Sequence, residues 1–355
     1  MLNAVKKEVE RIVSSDVSWD KLRDKTVLVT GATGFIGSYI VRSLLEKSER
    51  SNLNIKVVAL VLNYNEGKTL FQKYLDNGTI TFLVGDICNP LSTDQTADYI
   101  IHCASNAAPN EYALYPVQTM KINFYGTLNM LEYAKKVSAT GFLYISTIEV
   151  YGRLTGDTKT DENTYGVIDS MRSRSCYPLS KKACETLCVS FAEQYGVAVK
   201  IGRLSYIFGP GMRCDDSKIV SVFPQCVAQN KNIVMKSKGE QKRTYTYISD
   251  AITGLLTVLL DGENKHAYNI GSCSCKTSVV GIANTLVSLY PQKKLKVVFD
   301  LPSEQEQKAF SLIDNAIMDT SKIEALGWSP KIDLITGLKN VVEERIEILE
   351  KEKGK

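Results

Sequence analysis

The chain has no run of about 18 consecutive apolar residues, so no segment of it reads as a membrane-spanning helix. Residues 1–19 carry too many charges to form the apolar stretch of a secretory leader, and the expectation is a cytoplasmic protein with no membrane partner. An excess of one charge is missing as well. Forty-three Lys and Arg stand against 39 Asp and Glu, a net charge of +4 that gives no footprint for nucleic acid. The nine cysteines are an odd number, scattered singly without the paired spacing of a zinc site. Cys273-Ser274-Cys275 is the one close pair, and a single intervening residue is a poor zinc spacing, so no metal is expected. The cysteines read mostly as small buried apolar residues in a reducing compartment. Internal repeats are absent, and the charged tail at 343–355 reads as a terminal helix that frays. What remains is a small-molecule partner for a chain of 355 residues and 44% hydrophobic content, long enough to bury a large core.

Alternating periodicities organise that length. Residues 1–16 read as an amphipathic helix, with Val5, Val9 and Ile12 at helical spacing, inside an extension that covers 1–24 and packs ahead of the fold. Short apolar β-type runs follow at 26–30, 56–62, 80–84, 99–103, 141–146 and 197–204, separated by helical stretches that end near Glu46, run over 121–136, and run over 180–195. This βαβα rhythm with apolar strands predicts an α/β fold, a doubly wound parallel sheet with helices on both faces, over 25–208. Beyond 209 the pattern is irregular, with loops around 213–217 and 236–242. That suits a smaller C-terminal α/β substrate lobe over 209–355, part of which returns to the first domain.

Two motifs carry chemistry. After the first strand stands Gly31-Ala32-Thr33-Gly34-Phe35-Ile36-Gly37. Gly31 allows the tight turn, Gly34 lets backbone approach a pyrophosphate, and Gly37 lets helix pack close on strand, with phosphate at the helix N-terminus. The spacing is GxxGxxG rather than GxGxxG. The second motif is Tyr177-Pro178-Leu179-Ser180-Lys181. Positions four apart share a helix face, so the Lys181 ammonium would lie near the Tyr177 phenol and favour its ionised form, making it a base for an alcohol proton. Asp86 after the third strand is a candidate for the adenine. At the end of the second strand, Val61-Leu62-Asn63 offers neither the acidic side chain that holds ribose hydroxyls nor an arginine for a 2′-phosphate. Asn63 can bond a ribose hydroxyl while Lys68 is a displaced phosphate partner, so NAD is expected, with NADP left open.

Together these motifs resemble the extended short-chain dehydrogenase/reductases, specifically the nucleotide-sugar epimerase/dehydratase/decarboxylase group, over residues 25–339. His102-Cys103-Ala104-Ser105, with Asn123 and Gly126-Thr127-Leu128-Asn129, is similar to the stretch lining the nicotinamide ribose. Ser146-Thr147-Ile148-Glu149-Val150-Tyr151-Gly152 matches the strand ending in the catalytic hydroxyl. Phe208-Gly209-Pro210, Arg243 ahead of Tyr247-Ile248-Ser249-Asp250, Tyr268-Asn269-Ile270-Gly271 and Leu326-Gly327-Trp328-Ser329-Pro330 resemble its later marks. Tyr112, Pro116, Thr119 and Arg174-Ser175-Cys176-Tyr177 look most like UDP-glucuronate decarboxylases.

The resemblance implies a Rossmann-type domain and a shared first step at sugar C4. Thr147 bonds the C4 hydroxyl, Tyr177 removes its proton, Lys181 also holds the nicotinamide ribose, and Glu149 belongs to the catalytic group. Cofactor residues would be Gly31, Thr33, Gly34, Phe35, Ile36, Gly37, Asn63, Asp86, Ile87, Cys103, Ala104, Ser105 and Asn123, beside Tyr177 and Lys181. Asn106, Ser205, Lys218 and Arg243 would hold substrate, a nucleotide-diphosphate sugar or polyol, with Arg243 and Lys218 clamping the diphosphate. A homodimer through the helices containing Lys121 and Ser180 is also implied.

Departures from the pattern bear on the fate of the 4-keto sugar. Ile148 stands where a dehydratase would carry the acid of an Asp-Glu pair, which disfavours elimination. The decarboxylases place a small hydroxyl residue there beside the Glu, and Ser205 replaces a customary asparagine. Epimerisation is therefore put first. UDP-glucuronate decarboxylation, for which Glu149 and Arg243 are the required pair, is the second reading, and net reduction or dehydrogenation of a nucleotide-linked keto sugar or polyol the third. A dinucleotide sensor is the non-enzymatic alternative, against which Thr147, Tyr177 and Lys181 argue.

Overall fold

The computed structural model describes residues 2–153, 159–301 and 315–353. Its centre is a seven-stranded sheet in the order β10-β6-β5-β4-β1-β2-β3, every neighbouring pair parallel. The strands are β1 (Thr26–Thr30), β2 (Lys56–Val61), β3 (Ile80–Val84), β4 (Tyr99–His102), β5 (Gly141–Thr147), β6 (Val199–Leu204) and β10 (His266–Ile270). The inner strands read as unbroken apolar runs because both faces are covered: every residue of β4 and β5 is buried. Chain order reverses between β1 and β4, so a crevice opens beyond their carboxyl ends, where ligands of such sheets bind.

Helices α2 (Phe35–Ser51), α3 (Tyr64–Asp76), α4 (Pro109–Leu114), α5 (Pro116–Lys136) and α6 (Cys176–Tyr195) connect these strands. Two start earlier than the periodicity predicts, for a local reason. Pro116 at the first position of α5 and Pro178 in the first turn of α6 need no helical N–H partner, so each helix extends upstream through them. Gly196, at φ +73°, ends α6 in the left-handed conformation.

After β7 (Tyr206–Phe208) the chain builds α7 (Ile219–Ala228), the pair β8 (Ile233–Met235) and β12 (Val297–Phe299), and β9 (Lys242–Tyr247). β9 pairs with β7, with β11 (Lys276–Ser278) and with β13 (Asn315–Ala316). Between them α8 (Ile248–Asp261) packs on the main sheet, β10 joins that sheet beside β6, and α9 (Val279–Leu289) packs on β11 and β12.

The N-terminal helix α1 (Asn3–Val13) buries Val5, Val9, Ile12 and Val13 against α2, α8 and the C-terminal helix Leu334–Lys353. That last helix corrects the expectation of a fraying tail from 343 onward. Glu344 and Arg345 are each only 1% exposed, and Arg345 donates to the Met212 carbonyl at 2.9 Å. The cysteine expectation is corrected too: four of the nine are buried, while Cys214 and Cys273 are exposed, and all are free. Among the described residues no helix is long and apolar enough to cross a membrane, and no cluster of His, Cys, Asp and Glu could hold a metal ion.

Candidate active site

At the crevice, β1 is followed by Gly31 at φ +61°, a conformation that disfavours any side chain, and a Cβ there would lie 2.9 Å from the Ala104 nitrogen. At Gly37 a Cβ would meet the Gly31 carbonyl oxygen at 2.2 Å, so α2 can approach the turn only through glycine. α2 opens on Gly34 with no side-chain cap, which leaves its first N–H groups aimed out of the sheet's carboxyl edge. A backbone cradle with an uncapped positive helix end fits the pyrophosphate of a dinucleotide.

The second wall is tied to the first by hydrogen bonds. Thr30 Oγ1 lies 2.8 Å from His102 Nδ1 and accepts the Ala104 N–H at 3.1 Å, fixing the turn after β4 beside the glycines. Burial pulls the His102 ring down to about 3, so it stays neutral in the core. Ser105 Oγ donates to Asn123 Oδ1 (2.7 Å), Asn123 Nδ2 donates to Ser180 Oγ (2.8 Å), and Ser180 Oγ donates to the Tyr177 carbonyl (3.1 Å). This relay links the β4 turn through α5 to the first turn of α6.

Tyr177 and Lys181 both lie on α6 and are buried, Tyr177 at 8% exposure. Their electrostatics differ from the expectation. The Lys181 ammonium donates to the Ile145 carbonyl at 2.9 Å and lies 4.9 Å from the Tyr144 ring centre, and burial lowers it to about 8. The phenol of Tyr177 is pushed up, first by burial and then by the Glu149 charge. What pulls it back is a hydrogen bond with Thr147 and the positive charge of Arg174. Thr147 ends β5 and its hydroxyl accepts the Glu149 N–H at 3.3 Å, so the strand end and the turn after it form one unit. Ile148 is 3% exposed, packed between Thr147 and Glu149 in chain order.

Sequence reasoning gave Arg174, Tyr112 and Tyr206 no role in the site. Arg174 pairs with Glu149, Tyr112 stacks on Tyr177 with ring centres 5.1 Å apart at 19°, and Tyr206 lies 4.5 Å beneath the Arg243 guanidinium. The arginine three residues before Tyr177 was a usable signal. Tyr112, part of the same resemblance, was another, while Tyr206 gave none.

Of the four substrate candidates, Arg243 lies among Tyr206 and Tyr245 with the Glu149 charge nearby, and its buried Nε has no hydrogen-bond partner. Ser205 is buried with its hydroxyl 2.6 Å from Thr246 Oγ1, and Lys218, at the start of α7, is paired with Asp216 at 2.9 Å. Asn106 is half-buried in the loop between β4 and α4. Among the outer cofactor candidates, Asn63 Oδ1 caps α3 by accepting the N–H groups of Asn65 and Glu66. Exposed Asp86 accepts the Cys88 N–H at 2.9 Å, while Ile87 is buried and its carbonyl accepts from Asn129. Cys103 is half-buried beside the His102 strand end, its thiol raised to about 12 by burial. Thr33 is half-buried in the glycine turn.

A doubly wound sheet with a glycine cradle at its switch point and a Thr/Tyr/Lys group across from it defines a dinucleotide-dependent enzyme of the short-chain type. Residues 27–271 match the NAD dependent epimerase/dehydratase family, and the chain belongs to that family. Among curated relatives, UDP-glucuronic acid decarboxylase 6 of Arabidopsis thaliana is 34% identical over 315 residues, covering 88% of this chain and 86% of the relative. UDP-glucuronic acid decarboxylase 1 of Xenopus tropicalis is 29% identical over 320 residues, covering 90% and 71%. Among solved structures, a UDP-glucuronic acid 4-epimerase from Bacillus cereus, in complex with UDP-glucuronic acid and NAD, is 25% identical with a TM-score of 0.76, over 91% of this chain and 99% of that one. The fold also matches a UDP-glucose 4-epimerase from Thermotoga maritima, with 24% identity, a TM-score of 0.77 and the same 91% and 99% coverage. The decarboxylase alternative thus fits at least as well as the epimerase put first from the sequence.

Proposed function

We propose that the chain is an NAD-dependent decarboxylase of a UDP-linked hexuronic acid. The observation that carries this reading is the Glu149 carboxylate held by Arg174, which also bonds Tyr112, the ring stacked on Tyr177, with an aliphatic Ile148 in place of a dehydratase acid. Relatives of that activity at 29–34% identity support it.

The glycine turn and the uncapped start of α2 would hold the NAD pyrophosphate, and Lys181 and the Ser105–Asn123 relay would flank its nicotinamide ribose. NAD, when bound, accepts the electron pair and hydrogen from sugar C4 and later returns them. Thr147 orients the C4 hydroxyl and Tyr177 takes its proton. In the resulting 4-keto sugar the C6 carboxylate lies β to the carbonyl. The C5–C6 bond breaks, CO₂ leaves, and its electron pair moves through C5 to the C4 oxygen, which Thr147 and protonated Tyr177 stabilise as donors. Glu149 is placed to manage the proton that C5 then gains. Arg243, whose Nε is unpartnered, is the cation best suited to the substrate's anionic groups.

Incubation with UDP-glucuronate labelled at C6 tests this. Stoichiometric labelled CO₂ and a UDP-pentose, with no lasting change in nicotinamide absorbance, are expected. Ile148, in place of the small hydroxyl of the decarboxylases that the chain resembles, favours 4-epimerisation as the second reading. UDP-galacturonate formed without CO₂ would establish that one and sink the first.

A homodimer is part of the same reading. Val117, Met120, Phe124 and Tyr125 are exposed on α5, beside the α6 helix it packs on. Light scattering should give twice the chain mass, and Phe124→Glu should give the monomer.

A further inference from the structure

Arg174 stands on the single helical turn Ser173–Ser175 that leads into α6. Its Nη1 donates to Glu149 Oε2 at 3.1 Å and its Nη2 to Glu149 Oε1 at 3.2 Å, a fork that fixes the plane of the carboxylate as well as its position. The same Nη2 donates to the Tyr112 hydroxyl at 3.1 Å, and the guanidinium carbon lies 4.3 Å from the Tyr112 ring centre. Tyr112 in turn is the ring that lies against Tyr177. One side chain therefore touches the carboxylate directly and the phenol through a single ring.

We propose that Arg174 is the positioning residue of this site: it orients Glu149, braces Tyr177 through Tyr112, and cancels the Glu149 charge that opposes ionisation of the phenol. The proposal deepens the decarboxylase reading and rests on its assignment of Tyr177 and Glu149. Three of the Arg174 N–H donors go to Glu149 and Tyr112, and the substrate's own anion is assigned to Arg243. Tyr177 is faced by Glu149 from the turn after β5, by Tyr112 from α4 and by Tyr206 from β7. Arg243 on β9 shares the field of Glu149, and Lys181 lies one turn further along α6. Within that set, Arg174 is the cation in contact with Glu149.

The test is single-turnover oxidation of UDP-glucuronate by the NAD-loaded protein, followed by nicotinamide absorbance across pH. Arg174→Met should slow oxidation by about tenfold or more, since an acid/base contribution is at stake. It should also move the acidic limb upward by about one pH unit or more, because an uncompensated Glu149 holds the proton on Tyr177. Arg174→Lys keeps the charge and loses the fork, so its limb should stay near wild type while its plateau falls. In a Glu149→Gln background the limb should still move, because the charge of Arg174 acts on Tyr177 directly, but the plateau should fall less, because the carboxylate that the fork orients is gone. An unchanged plateau and limb in Arg174→Met, or an equal fall of the plateau in both backgrounds, overturns the proposal. Should Arg174→Met alone fail to fold, the lysine variant and the double variant, which removes the buried pair together, decide it in the same way. Tyr177→Phe separates the two levels. Oxidation surviving in that variant sinks the base assignment itself, whereas a dead Tyr177→Phe with an unshifted Arg174→Met sinks only the role of Arg174.

Discussion

Glu344, on the last helix, accepts the backbone N–H of Gly211 at 2.6 Å, closing the C-terminal helix over the loop that follows β7. Burial raises its carboxyl from 4.5 to about 7, against the downward pull of the Gly211 N–H and of Arg345. The folded state therefore keeps a proton that the unfolded chain has already lost, and stability declines as pH rises from about 4.5 to about 7. Glu344→Gln keeps a carbonyl for Gly211 and removes the charge. In denaturant titrations the wild type should lose about 2 kcal/mol relative to Glu344→Gln between the two ends of that window. Asp250, raised to about 6 by burial, titrates in both proteins and drops out of the comparison.

Gly37→Ala would place a Cβ 2.2 Å from the Gly31 carbonyl oxygen, a contact that only movement of α2 or the turn relieves. The expected cost is about 1–3 kcal/mol of stability together with loss of NAD binding, read by calorimetry. Gly85→Ala, where a Cβ meets nothing within 4 Å, is the control and should stay within about 0.5 kcal/mol of wild type.

Beneath the site, Arg203 donates to Glu185 from Nε at 3.0 Å and from Nη2 at 2.7 Å, while Ser146 Oγ donates to the same carboxylate at 2.5 Å. Arg203 also reaches the Tyr151 hydroxyl at 3.0 Å, so β5, β6 and α6 share one buried polar knot. Arg203→Met leaves the carboxylate buried and should cost roughly 3–5 kcal/mol in urea unfolding. The double variant Arg203→Met/Glu185→Leu should recover most of that loss, and an additive result would show that the two do not act as a pair.

Tyr112→Ala removes the ring against Tyr177, a contact worth about 0.5–1.5 kcal/mol, so turnover should fall by roughly 2- to 10-fold. Tyr112→Phe keeps the stack and loses only the hydroxyl that Arg174 contacts at 3.1 Å. Its turnover, measured by product formation, should lie between that of Tyr112→Ala and wild type.

The sequence was most readable where short-range physics decides the outcome. The strand at Thr26–Thr30 coincides with the apolar run that predicts it, because a parallel strand buried on both faces selects an unbroken run of such residues, and Ile80–Val84 at the sheet edge coincides with its run as well, though only Ile80 is fully buried there. The smaller strands were not legible. β7, β8, β11 and β12 have three residues each, too few for a period to register, and their partners are far away in sequence: β9 for β7 and β11, and each other for β8 and β12. Glu344 and Arg345 looked like part of a charged tail for a related reason: their burial is conferred by α1 and by the loop at Gly211 and Met212, far away in sequence.

The sequence by itself determined the elements that need only local order: the glycines that the β1–α2 turn can tolerate, the helix that sets Tyr177 and Lys181 one turn apart, and the strand that ends in Thr147. Tertiary structure alone decided the charge around the phenol. Burial raises it, and Arg174 reaches Glu149 across 25 residues and Tyr112 across 62 to offset the neighbouring carboxylate. Residue spacing carries no information about desolvation or about contacts over such separations, and those are what set a proton's affinity.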